Sequence, residues 1–357
     1  MRFAINDNQP PSPTSLWRGS VRIANVGIFV LLFGGFLYLA RPILLPVVAA
    51  VVIGTLLARP TRGAASFRIP PWLSALVLVG LLAGLIGAAI VALSGPVVEW
   101  IGQAPEIGAR IRELLRFFER PLAALNDIRN AIAQPDGQDG SALKVDTAGG
   151  MLAPAIAMVT PAIGEIVVFF GTLYFFLAAR TTLRQQLVTM SDDRGTRLTT
   201  LRIINDFEDT LATYLATVTA INICLGLFVA TVFWLIGFPH PLVWGVVVFV
   251  LNYIPYLGSA LVTLLLALVG LVTFPIASQA LIAPAIFLAA TTIEGHFITP
   301  SIIGRRLTIN PLAVFLALVF WTWLWGPLGA FLAAPLLIVG MVAVRHLFPN
   351  DEPKLPG

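Results

Sequence analysis

The sequence predicts an all-α polytopic membrane protein with about six spanning helices, two opposed re-entrant hairpins and a helical extracytoplasmic insertion. Three observations predict it. An 84-residue run from Thr210 to Ile293 contains no Asp, Glu, Lys or Arg. A helix needs about 20 apolar residues to cross about 30 Å of hydrocarbon, so this run holds roughly four passes. Mean hydropathy is +0.90, with 58% hydrophobic and 11% charged residues, which excludes an ordinary soluble domain. Finally, the charge-free run is interrupted at Phe238-Pro239-His240-Pro241, at Asn252-Tyr253-Ile254-Pro255-Tyr256-Leu257-Gly258 and at Phe274-Pro275. Interruptions at membrane depth leave backbone groups unpaired. They are tolerated only where protein buries them or a wet cavity takes them, which points towards transport.

Residues 1–22 form a polar tail carrying Arg2, Arg18 and Arg22, and their charge places it in the cytoplasm. Residues 23–98 hold the first three transmembrane helices, a scaffold. Ile23–Ala40 competes with a signal peptide. Arg41-Pro42 follows it directly, a second apolar run begins at once, and no small-x-small cleavage site is present, so it reads as a span. Pro42–Ala58 is short, and suits a thinned bilayer or tilted neighbours. Ile69–Val98 is charge-free over 30 residues and contains the third span.

Residues 99–160 differ in kind. Glu99–Asp146 carries eight acidic and six basic residues. Ile107, Ile111, Leu114, Phe118, Leu122, Leu125, Ile128 and Ile132 recur every three or four positions, and the charges fall mostly elsewhere on the wheel. This is an amphipathic helical hairpin interrupted by Pro105 and Pro121, followed by a loop over Gln134–Gly150. Residues 161–200 comprise a fourth span, with Glu165 near its start, and a loop rich in arginine. Residues 201–348 form the transport region, and 349–357 a cytoplasmic tail.

Within the transport region two topologies compete. In one, 242–271 and 311–345 are re-entrant hairpins built from half-helices, and Arg305-Arg306 is cytoplasmic. In the other each is one kinked span, and Arg305-Arg306 lies outside. Arginine placement and the short half-helices favour the hairpins. The two tips also echo one another: Leu257-Gly258-Ser259-Ala260-Leu261 against Leu328-Gly329-Ala330-Phe331-Leu332. Opposed hairpins are how many secondary transporters build a midplane site.

The candidate site residues follow from these interruptions. At the first tip Pro255 removes a donor, Gly258 permits close approach, and the Asn252 amide is free to bind a polar solute or cation. The alternative there is a packing kink with Asn252 as interhelical glue. Gly326, Pro327 and Gly329 occupy the second tip. Glu294 is the sole acid between Asp209 and Asp351. At membrane depth such a group is a functional candidate, with Thr291 and Thr292 as co-ligands and His296 titrating beside it. The alternative is an interfacial Glu294 paired with Arg305 or Arg306. Asn222, Thr217 and Thr213 read as one polar stripe on a helix, serving either a site or helix contacts.

Several classes are excluded. No Gly-rich loop ends in GK[ST], so there is no ATP motor. No H-E-x-x-H and no serine-nucleophile motif occurs, so no enzyme is expected. The lone Cys224 rules out an intramolecular disulfide and a multi-cysteine metal site. The net charge of +4 is distributed as topology signals, not as a nucleic-acid surface.

The order of parts resembles the autoinducer-2 exporter (PerM-type permease) family over roughly residues 20–348. The resemblance is carried by Ile254-Pro255-Tyr256-Leu257-Gly258, Pro300-Ser301-Ile302-Ile303-Gly304-Arg305, Asn310-Pro311-Leu312, and Gly326-Pro327-Leu328-Gly329-Ala330 followed by Pro335. It implies a bacterial inner-membrane transporter exporting small polar molecules such as autoinducer-2, or a Na⁺(Li⁺)/H⁺ antiporter. It also implies elevator-like motion and homo-oligomers, pentamers among them. The expectation is therefore a secondary transporter in contact with membrane lipid, with no cofactor beyond H⁺ or Na⁺ as coupling ion. A passive channel and a non-transporting membrane scaffold are the alternatives.

Overall fold

The computed structural model describes residues 13–66, 69–102, 108, 152–190, 193–303 and 310–347. The expected apolar stripe of the insertion and the Arg305-Arg306 pair lie outside them. Among the described residues there is no strand, and six helices are long and apolar enough to cross a membrane. The protein is a multi-pass all-α membrane protein.

The helices are α1 (Pro13–Leu39), α2 (Arg41–Ser66), α3 (Pro71–Gly102), α4 (Leu152–Thr189), α5 (Arg194–Leu235), α6 (Pro241–Leu251), α7 (Leu257–Thr273), α8 (Ala277–Ala280), α9 (Ile282–Ile293), a π-helical turn (Glu294–Ile298), α10 (Thr299–Ile303), α11 (Pro311–Trp325) and α12 (Pro327–Leu347). Local chemistry sets their ends. Asp193 Oδ2 accepts from the Thr196 backbone N–H at 2.9 Å and starts α5. Asn310 Oδ1 accepts from the Leu312 N–H at 2.9 Å, and Pro311 follows as the first helical residue of α11. Gly326, at φ +70°, ends α11.

Three apolar clusters hold the bundle. One joins α2, α3 and α4 through Ala50, Ala58, Ala75, Leu173 and Leu177. A second joins α2, α5, α11 and α12 through Leu45, Val52, Leu211, Leu215, Leu324 and Leu332. The third joins α5, α6, α7 and α9 around Phe233, Trp244, Val248, Leu266 and Phe287. Where α5 crosses α6, a Cβ on Gly226 would stand 2.6 Å from the Gly245 carbonyl oxygen, so only glycine lets the backbones meet. None of the most apolar stretch of α3 is buried, and Leu31, Leu39 and Val91 are among many exposed apolar residues. Such a surface belongs in hydrocarbon, not in water.

Ionic contacts mark the two ends of the bundle. At one end Arg180 donates to both Glu208 oxygens, at 3.2 and 2.5 Å, and Arg59 donates to Thr213 at 2.7 Å. His346, at the end of α12, lies 3.1 Å from Asp206 at this same end. At the other end His240 lies 3.0 Å from Glu99, and Trp100 stacks on Trp244.

Both interrupted segments turn back. The α6–α7 unit leaves the His240 end, descends to the level of Asn222 and returns, so that Phe274 meets Phe238 with ring centroids 5.9 Å apart. The α11–α12 unit is antiparallel, with Leu318 against Ala330 and Ala333, and α12 returns to Asp206. The two units thus enter from opposite ends and meet: Ile254 packs on Leu318, Ala330 and Ala333, and Tyr253 lies 5.0 Å from Phe331. One arm differs from expectation. α12 has 21 residues and is long enough to cross, because Pro327 starts it two residues early and Arg345-His346 extends it.

Candidate functional site

The first tip is built around a strained backbone. Tyr256 has φ 60° and ψ −50°, and the Leu257 N–H donates back to the Pro255 carbonyl at 2.6 Å. That is a γ-turn of the rare positive-φ form, uncommon for a bulky residue. Pro255 contributes no N–H, so the chain can leave the helical ladder here without orphaning a donor.

Neutral hydrogen bonds then fix the tip on α5. Asn252 Nδ2 donates to Asn222 Oδ1 at 2.9 Å, Ser259 Oγ donates to Asn252 Oδ1 at 3.1 Å, and the Tyr253 hydroxyl donates to Thr219 Oγ1 at 2.7 Å. Asn222 is 1% exposed, and its own Nδ2 has no partner among the described residues. A buried amide of that kind marks a place where something else is expected to bond.

A cavity of about 620 Å³ opens beside these groups. Its walls come from Tyr214, Ile221 and Asn222 of α5, from Asn252, Pro255, Tyr256 and Ser259 of the first tip, and from Thr291, Thr292, Glu294, His296 and Thr299. Seven residues singled out from the sequence, Asn222, Asn252, Pro255, Thr291, Thr292, Glu294 and His296, therefore line one cavity. Glu294 opens the π-helical turn, is half-buried, and accepts from the Thr299 hydroxyl. A π turn inserts one residue into the helical register and often lies at functional positions. His296 is exposed; its Nδ1 lies 3.0 Å from the Thr292 carbonyl, and no bond to Glu294 is formed.

The remaining candidates lie elsewhere. Gly258 and Gly329 do not line the cavity. A Cβ on Gly258 would stand 1.9 Å from the Leu251 carbonyl oxygen, and one on Gly329 would stand 2.0 Å from that of Trp321. Each glycine lets the second arm of its hairpin cross the first. Gly326 and Pro327 form the turn of the second tip. The expected stripe of Thr213, Thr217 and Asn222 is not a stripe. Thr213 bonds Arg59, Thr217 faces a separate apolar cavity, and Asn222 faces the tip. The five-residue step from 217 to 222 turns the helix by about 140°, which separates them. Ser259, Thr219, Tyr253 and Thr299 were not singled out from the sequence. Ser259 lies in the echoed tip segment, and that was the signal available for it.

Interrupted helices that meet at a polar cavity inside membrane-length helices define a membrane transport protein, not an enzyme. The chain belongs to the AI-2E family of transporters, whose sequence model matches residues 27–348. Among its relatives is the AI-2 transport protein TqsA of Escherichia coli K12, 27% identical over 324 residues, covering 90% of both chains. A putative transport protein of Borreliella burgdorferi is 24% identical over 352 residues, covering 96% of this chain and 91% of that one. The putative transport protein YrrI of Bacillus subtilis is 24% identical over 356 residues, covering 95% and 97%.

Proposed function

We propose that the protein is a secondary transporter of the bacterial inner membrane that exports a small polar molecule, an autoinducer-2-like signal or related metabolite. The observation that carries this reading is the single cavity shared by the first tip, the buried Asn222 amide and Glu294. Its donors and acceptors are neutral apart from one carboxylate, which suits an uncharged or singly charged polar solute. Residues 1–200 act as scaffold and 201–348 as transport region. The scaffold cluster of α2–α4 and the α5–α7 and α9 cluster are separate, and the two regions meet through a third in which α2 packs on α5, α11 and α12; elevator-like motion is proposed to slide along that contact. Both termini are cytoplasmic, lipid covers the exposed apolar helices, and the chain works as a homo-oligomer, a pentamer by family resemblance.

A second reading, a Na⁺(Li⁺)/H⁺ antiporter, is favoured by the placement of Glu294 with Thr291, Thr292 and Thr299 around the same cavity. One experiment separates the readings. The protein is reconstituted into liposomes, and flux of autoinducer-2 and of protons is measured with and without Na⁺. Saturable autoinducer-2 flux that Asn252→Ala abolishes supports export. Proton flux that needs Na⁺ or Li⁺ but no organic solute supports the antiporter. Non-saturating conductance points to a channel. Full flux in Asn252→Ala removes the cavity from either reading. In each carrier, Glu294→Gln, which removes the cavity's one carboxylate, is expected to lower flux.

A further inference from the structure

On the opposite flank of α5 lies a second cavity of about 610 Å³. We propose that it is a lateral binding site for an amphiphilic organic monocation, with the apolar body in the cavity and the ammonium group at Glu294. The proposal rests on the reading of the polar cavity as the cargo site, because Ile221 and Glu294 line both cavities.

The walls set the apolar half of the ligand. Ala216, Ala220, Cys224 and Phe228 recur every four residues and so form one face of α5. Opposite them stand Ile293, Ile298 and Ile302, all exposed at the rim. The cavity therefore opens sideways, where hydrocarbon surrounds the helices. Its volume falls in the range of drug-sized ligands.

The charged half follows from Glu294. It is the sole acid between Asp209 and Asp351. Thr299 donates to Oε1, and among the described residues no Lys, Arg or His lies within ion-pair distance of it. A carboxylate beside an apolar wall is costly unless a cation or several donors compensate it. Bare inorganic cations take six or more oxygens, or keep their water. On this cavity's wall only Thr217 joins the carboxylate, and the Thr299 hydroxyl on its other side already donates to Oε1. A phospholipid does not fit either. Its phosphate would have to sit against this carboxylate, a like charge, beside an apolar wall. An organic ammonium ion carrying an alkyl or aryl body meets both demands.

Cys224 is the single cysteine and is exposed in this wall, so it reports on occupancy. Full-length protein in lipid nanodiscs is treated with N-ethylmaleimide, and alkylation is followed by mass spectrometry. The probes are octyltrimethylammonium and its neutral carbon isostere 2,2-dimethyldecane, at equal mole fraction in the bilayer. The ammonium is expected to slow alkylation about fivefold more than the isostere. Glu294→Gln removes that difference. Ala220→Phe fills the cavity and removes protection by the ammonium; Ala216→Leu serves the same purpose where Ala220→Phe does not fold.

Equal protection by both probes makes the cavity a bed for lipid tails and overturns the proposal. No protection by the ammonium overturns it too, as does blocked alkylation at high protein density that is relieved on dilution, which marks a second copy of the chain. Polar-solute flux in Asn252→Ala is the separate control. If that flux survives while the ammonium difference holds, the reading of the polar cavity falls and the lateral site stands.

Discussion

The sharpest test of the hairpin geometry is Gly258→Ala. An added Cβ would stand 1.9 Å from the Leu251 carbonyl oxygen and 2.7 Å from its carbon. Ordinary contact needs roughly 3.2 Å, so α6 and α7 must part by about 1.3 Å at the tip. The obstructing atoms are backbone, and no side-chain rotation relieves them. Overpacking of this kind costs about 1–3 kcal/mol. The displacement also carries Asn252 away from Asn222, now at 2.9 Å, and loses a further ~1 kcal/mol of hydrogen bonding. Together this is about 3 kcal/mol, or a fall in midpoint of roughly 4 °C for a chain of 357 residues. The control is Gly340→Ala, another helical glycine, where nothing lies within 4 Å of the added Cβ. That change should leave stability unchanged or raise it by up to ~1 kcal/mol. The assay is thermal unfolding in detergent followed by solute flux in liposomes. Gly258→Ala should lose both midpoint and flux, and Gly340→Ala neither. A Gly258→Ala protein with the wild-type midpoint would refute the crossing of the arms and the tip built on it.

Three further outcomes are expected. Arg180→Met removes a two-pronged contact between two largely buried side chains and should cost about 1–3 kcal/mol, whereas Arg180→Met with Glu208→Met should cost less than the two single changes summed; a double-mutant cycle in unfolding midpoints reads this. In a Cys224→Ser background, an impermeant thiol reagent added to intact cells should label a cysteine placed at Ser141 and not one at Ser301; labelling at both positions contradicts a cytoplasmic Arg305-Arg306. Replacing Ile111 and Leu114 with Asp should disrupt the proposed oligomer, read as a fall in mass in detergent, or the fold, because an apolar stripe of that size needs a cover; an unchanged mass argues that the stripe packs within one chain.

The hairpins were legible because proline and glycine interrupt apolar runs visibly. Their echo proves informative for a reason that sequence alone does not supply. Gly258 and Gly329 occupy equivalent places, each under a carbonyl of the opposing arm, Leu251 in one hairpin and Trp321 in the other. Asn252, Pro255 and Glu294 were legible because a polar or chain-breaking residue in hydrocarbon is costly enough to be conspicuous. Other features leave no such trace. The positive φ of Tyr256 is invisible because nothing in the residue type requires it. The π turn at Glu294 shifts register by one residue, and no apolar pattern across Glu294-Gly295-His296 records that shift. The first turns of α5 fall in what reads from the sequence as the arginine-rich loop before residue 201, although Asp193 followed by Thr196 offers the cap that begins the helix. The supposed stripe of Thr213, Thr217 and Asn222 failed on arithmetic alone, since a five-residue step turns the helix away.

The distribution of polar contacts carries a last consequence. Groups that can carry charge gather at the ends of the bundle: the Arg180–Glu208 ion pair at one end, the His240–Glu99 contact at the other. The centre uses neutral groups only, Asn222, Asn252, Ser259, Thr219 and Tyr253. Breaking one neutral bond at the tip costs about 1–3 kcal/mol, within reach of what a bound solute can return. Breaking a buried ion pair there would cost more, and would lock the tip in place. Hydrogen-bonded amides at the centre and charges at the ends therefore suit a tip that must release and re-form. Glu294 is the exception, a single carboxylate among neutral groups, held by one threonine hydroxyl. It is the one carboxylate on the cavity wall, so a bound cation would find its strongest attraction there.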